Sequence, residues 1–245
     1  MRAARALALV LLLVPSVGHA DDRPVCGETP TDTEVTQRLR MLRDYVRQDE
    51  PAARRWYTSF MLLHATMAIV GGMLAGAGAV DGNENQQVDM TVNTISSTLA
   101  MLTLVTSTPP LMGAGGTLDG MPVETPEDRL RALREAEDIL RRDANAVDFV
   151  TSWLPATGTA LYTSAAATTL LVAFDRVSGA FVHVAGGAIL GLGRLLLRPT
   201  DSRDRWRHYH RRYPDAACEQ VVATAPRPTF RIGAGGPGVA FSLHF

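Results

Sequence analysis

The chain contains no lysine, so its 24 cationic side chains are all arginine. We read this as coding bias rather than as a selected arginine chemistry. Also missing are GxSxG, HExxH, GxxxxGK[ST] and CxxC, the short signatures whose spacing has a mechanical reason in hydrolases, zinc proteases, phosphate-binding loops and thiol redox or zinc sites. The expectation is therefore a protein that is not an enzyme, with no cofactor and no catalytic or metal-ligating residue assigned. A net charge of -1 supplies no basic surface for the phosphate backbone, which removes nucleic acid as a partner.

Cysteine is scarce, with only Cys26 and Cys218. Residues 1–20 have the layout of a secretory signal: Arg2 and Arg5, the apolar run 6–14, then small residues at Gly18 and Ala20. Cleavage there leaves 22 arginines against 25 acids, a slightly acidic mature chain. In an oxidising compartment the two cysteines are expected to form a disulfide that closes nearly the whole mature chain.

Glycine is abundant and patterned. Residues 71–78 and 186–193 both read GGxxxGxG, each inside a long apolar run, 57–80 and 178–197. Gly72 and Gly76, like Gly187 and Gly191, lie four apart on one helix face, where missing side chains let another backbone approach. Gly71, Gly72, Gly76, Gly78, Gly186, Gly187, Gly191 and Gly193 are accordingly assigned to helix packing, with self-association through the same faces as an alternative use.

Around these faces the chain divides into residues 1–20, the signal; 21–110, an amphipathic helix feeding an apolar hairpin; 111–121, a Gly/Pro-rich linker; 122–198, a second such unit; and 199–245, an Arg-rich segment with an extended tail. In the first unit Val35, Leu39, Leu42 and Val46 mark one apolar stripe of a helix over 33–55, and Arg38, Arg40, Arg43 and Arg47 flank it as a solvated face. Residues 57–80 carry no formal charge, and as a helix they would be about 36 Å long, enough to cross a bilayer. Trp56 and Tyr57 stand at the entrance as interfacial aromatics do.

The next helix, 88–107, has an apolar seam of Val88, Val92, Ile95, Leu99 and Leu102, with Asp89, Asn93, Ser96, Ser97 and Thr103 elsewhere on it. Lipid penalises such polar groups unless they turn inward, so this helix belongs in a bundle. The second unit echoes the first: Glu28-Thr29-Pro30 recurs at 124–126, and Arg38-Leu39-Arg40 at 129–131. A helix is expected over 126–145, a break near Pro155 and Gly158, then apolar helices over 159–174 and 178–197.

Other polar residues receive plain readings. Glu135, Glu137 and Asp138 are taken as a solvated face. His208 and His210, two apart among arginines that repel a cation, carry no metal assignment. His64 and His183 lie at unequal distances before their double glycines and are read as core or interface histidines rather than haem or metal ligands. The alternation of Val239, Phe241, Leu243 and Phe245 after a Gly-Gly-Pro-Gly turn predicts a small terminal hairpin.

The fold class that follows is mainly α: two amphipathic helices each feeding an apolar helical hairpin, a four-helix hydrophobic bundle with a short β-hairpin-like tail. The functional expectation is an exported cell-envelope membrane protein with a structural or interaction role through its glycine-faced helices, and with membrane lipid as its partner. The alternatives are a soluble periplasmic or secreted bundle that binds a lipid-like ligand and, third, an exported enzyme without a recognisable motif.

Overall fold

The computed structural model describes residues 30–214, 229–235 and 238–244. The signal-like residues 1–20, Cys26 and Cys218 lie outside them.

The chain clusters into two units. In the unit built from residues 30–208, one helix dominates. α1 (Asp32–Val80) runs unbroken for 49 residues, about 73 Å. The amphipathic and apolar segments expected as two helices are thus one, because no glycine or turn residue separates Arg55 from Tyr57. Pro51 lies inside it and removes a single hydrogen-bond donor. Thr31 caps its start by accepting from the Glu34 amide, as Thr125 caps α4 by accepting from Asp128.

The amino-terminal part of α1 builds a helical head. Val35, Leu39, Leu42 and Val46 are all buried, against α4 (Pro126–Thr151), which contributes Leu133, Ala136, Leu140 and Val147. Arg129 near the start of α4 grips Asp32 at the start of α1 with two hydrogen bonds of 2.9 and 2.8 Å, so these helices run side by side in the same direction. Residues 111–121, expected as a linker, hold the short helix α3 (Ala114–Asp119), with Leu111 and Leu118 buried. Glu50 on α1 fixes α3 by accepting from the amides of Gly113 and Gly115. Arg43 donates to the Leu118 carbonyl and Arg47 to Asp119.

Two expectations about charged faces are corrected here. Arg38 is buried and paired with Glu34 at 2.5 Å, and Arg43 and Arg47 hold α3 rather than facing water alone. Glu137 is also buried, whereas Asp138 pairs with Arg141 and Arg142 on the surface. Both helices carry partners on more than the apolar stripe, which draws the flanking side chains inward by their aliphatic stems.

The apolar part of α1 pairs with α2 (Glu84–Thr106) across a turn at Asp81 to Asn83. Trp56, Phe60 and Leu104 form the core at the head end of this hairpin. α5 (Trp153–Phe174) and α6 (Val177–Leu196) form the second hairpin. The expected break near Pro155 falls at Ser152, which leaves Pro155 in the first turn of α5, where its missing N–H costs nothing. Asp175 makes the α5–α6 turn in the left-handed region (φ 54°), a conformation Asp tolerates better than most residues. α7 (Asp201–Arg212) begins in this unit. Ser202 meets Asp143 and Arg205 meets Asp49, which ties α7 to both α4 and α1.

In the other unit, Tyr209 and Tyr213 stack with ring centroids 5.1 Å apart.

Candidate functional site

The seam between the two hairpins concentrates the chemistry of the apolar region. α2 turns one face to the second hairpin, and Asp89, Ser96 and Thr103 stand on it at intervals of seven residues, about 10.5 Å apart along the helix. Each has a partner across the seam. Arg176, in the α5–α6 turn, donates to Asp89 at 2.6 Å. Ser96 and the Tyr162 hydroxyl are 2.7 Å apart. Because Ser96 donates its one hydrogen to the Val92 carbonyl, Tyr162 is the donor in that contact. Arg194 donates to Thr103 Oγ1 at 2.8 Å. Asp89 and Ser96 are thus half-buried in the seam while Thr103 stays exposed at its end, and Val88 and Val92 pack with Ala167, Leu170 and Ala180.

Glycines set how closely these helices approach. A methyl group added at Gly71 would lie 2.7 Å from Thr94 Oγ1, and one at Gly78 would lie 2.9 Å from the Gln87 backbone nitrogen and 3.1 Å from the Asn83 carbonyl. At Gly187 it would meet Thr163 at 2.8 Å, and at Gly191 it would collide with Thr159. Among the described residues Gly72 has only an ordinary contact at 3.9 Å, and a methyl group at Gly76, Gly186 or Gly193 would have no neighbour within 4 Å. The ridge of the first copy turned to α2 is thus Gly71 and Gly78, not the Gly72–Gly76 pair. Gly179, which the repeat did not single out, lies against the Asp89 carboxylate and leaves room for its pairing with Arg176.

The two histidines of the apolar region meet different aromatic rings. His64 is buried beside Phe60, with centroids 6.5 Å apart, and among the described residues its Nδ1 has no hydrogen-bond partner. His183 meets the edge of Tyr162 at 6.4 Å. Among the described residues no group of three or more His, Cys, Asp or Glu side chains is placed to hold a metal ion.

At the head end of the seam, Trp56 is buried between α1 and α6 rather than lying at the surface, and its Nε1 donates to the Arg194 carbonyl at 3.1 Å. The Arg198 guanidinium covers the same ring at 5.2 Å. Behind them lies a cavity of about 10 Å³, room for one water molecule, lined by Asp49, Asp143, Arg198 and Ser202 among others. Asp49 and Asp143 are both buried. Burial pushes the Asp49 carboxyl up to about 6 against the pull of Arg205, and the charges of Asp201 and Asp143 push the same way. Burial likewise raises Asp143, opposed by its hydrogen bond from Ser202 at 2.6 Å and by Arg198. A larger depression of about 340 Å³ is an open groove on the head, where Arg47 and Arg54 are already paired with Asp119 and Glu50.

Around the seam the surface is oily. Ile69, Met73, Val172, Phe181, Val182 and Ile189 are each more than 60 % exposed. Among the described residues three helical segments are long and apolar enough to cross a membrane: α1, α2 and the run Val177–Arg212 that contains α6. Only 17, 11 and 6 % of their apolar windows are buried within the chain. α5 is also free of formal charge, but Thr157, Thr159, Thr163, Thr168 and Thr169 dilute its apolar character. Comparison with known proteins finds no matching family, no matching curated protein and no matching solved structure.

Proposed function

We propose that the chain is an exported cell-envelope membrane protein, in which two helical hairpins lie in the bilayer and carry the helical head at one membrane face. Its role is structural or interactive rather than catalytic. The observation that carries this reading is the contrast within α1: the stripe from Val35 to Val46 is buried against protein, whereas Leu62, Ile69 and Met73 on the same helix are each more than 60 % exposed. In water such a band would be an aggregation surface, and in lipid it is the expected exterior.

The glycine ridges supply the packing in this proposal, with α5 as the fourth bilayer helix because its Thr159 and Thr163 face Gly191 and Gly187. Export rests on the signal-like residues 1–20 and on a Cys26–Cys218 disulfide, and the alternating tail is taken as a terminal hairpin. The polar groups of α2, which by themselves favour a water-soluble bundle, lose part of that weight because Asp89, Ser96 and Thr103 are bonded across the seam.

The test is a carbonate wash of membranes that contain the full chain. Retention in the pellet, with release only by detergent, is expected. Complete extraction into the aqueous fraction would overturn the membrane reading in favour of the soluble bundle.

A further inference from the structure

Arg194 is the cation whose charge the fold leaves unbalanced. Among the described residues its side chain makes one hydrogen bond, to Thr103 Oγ1, and the formal charge acting on it is that of another cation, Arg198. A guanidinium carries five N–H donors, so most of its capacity is unused. Arg198, one turn further on, stacks on Trp56 and faces the Asp143 carboxylate. The buried His64, whose Nδ1 lacks a partner among the described residues, faces the same Arg194 charge. Arg198 is thus matched by Asp143, whereas among the described residues no carboxylate acts on Arg194.

The position of this unmatched charge is specific. Arg194 is in the last turn of α6, where the bilayer run ends and the head begins. Leu196 and Leu197 beside it are 82 and 69 % exposed, and Trp56 holds the Arg194 backbone carbonyl. Apolar contacts for an acyl chain and a cation for a headgroup thus meet within one turn of helix, at the depth where the aromatic residues of membrane proteins gather.

We propose that Arg194 binds the phosphate of an anionic phospholipid at the head-side face of the bilayer. This rests on the membrane reading above. The phosphodiester supplies the missing negative charge and accepts the unused guanidinium donors in charge-assisted hydrogen bonds. A zwitterionic headgroup brings its own ammonium and leaves the charge of Arg194 uncancelled.

The test uses the full chain in detergent, with dioctanoyl phosphatidylglycerol, dioctanoyl phosphatidylcholine or inorganic phosphate added, and reads the melting temperature and lipid retention in native mass spectrometry. Phosphatidylglycerol is expected to raise the melting temperature of the natural chain and of Arg194→Lys. Its binding to Arg194→Gln is expected to be about tenfold weaker, the loss of one charge-assisted contact. Phosphatidylcholine and inorganic phosphate are expected to give no shift. Equal phosphatidylglycerol binding by Arg194→Gln and the natural chain would overturn the site, and an equal response to inorganic phosphate would overturn its assignment to lipid. Carbonate retention separates the two claims: a retained chain with no lipid preference sinks only this inference, while a washed-off chain sinks the membrane reading beneath it.

Discussion

Arg176 and Asp89 join the two hairpins at the end of the seam away from the head: the guanidinium donates from Nη2 to one carboxylate oxygen at 2.6 Å and from Nε to the other at 3.4 Å. Both side chains are about one-fifth exposed, so the pair is screened less than a surface bridge. Few other polar contacts bind α2 to the second hairpin, which gives this one leverage over their alignment.

Asp89→Asn and Arg176→Gln should each lower the melting temperature of the full chain in detergent. The double variant should lose little more than either single one. Additive losses would mean that the two residues act separately.

The glycines divide by what lies against them. Gly71→Leu and Gly187→Leu force a side chain into Thr94 and Thr163, and each should destabilise by about 1–3 kcal/mol. Gly76→Leu and Gly193→Leu enter space with no neighbour within 4 Å among the described residues and should stay within about 0.5 kcal/mol of the natural chain. Thermal melts of the four variants separate a packing role from a general intolerance of large residues; equal losses in all four would contradict the packing role.

Acidity should favour the Asp49 and Asp143 cluster of the head. The Asp49 carboxyl titrates at about 6 when folded and at 3.8 in its reference state, so the folded protein binds the proton more tightly. Stability contributed by this group is therefore greatest below about pH 4 and falls as the pH rises to about 6, and Asp143 acts in the same direction. Discounted for solvent screening, the Asp49 effect is about 1–2 kcal/mol. Asp49→Asn should flatten this part of the stability profile between pH 4 and 7 and raise the melting temperature at pH 7.5. An unchanged profile would contradict the assignment.

What was legible from the chain alone was whatever depends on one helix at a time. Val35, Leu39, Leu42 and Val46 announce their burial by spacing, and the charge-free run after Trp56 announces its length. The partner of a face is a non-local choice. Gly71 and Gly72 differ by one residue, or 100° of rotation, and only the position of α2 decides which of them meets Thr94. The same limit hid Gly179, which matters because an aspartate ninety residues away lies against it. The burial of Arg38 and Glu137 was missed because a long side chain can cover apolar surface while its polar end finds a partner. Helix α3 was hidden by its glycines, which read as a linker until Glu50 and Arg43 are seen to hold it.

The central claim is that the exposed apolar band faces lipid while the head faces water. Spin labels at Ile69, Phe181 and Ile189, with Arg40 in the head as reference, test it most directly by collision with oxygen and with a water-soluble nickel complex in reconstituted bilayers. The account predicts high oxygen and low nickel accessibility at the first three positions and the reverse at Arg40. Nickel access at positions 69, 181 and 189 equal to that at position 40 would contradict it.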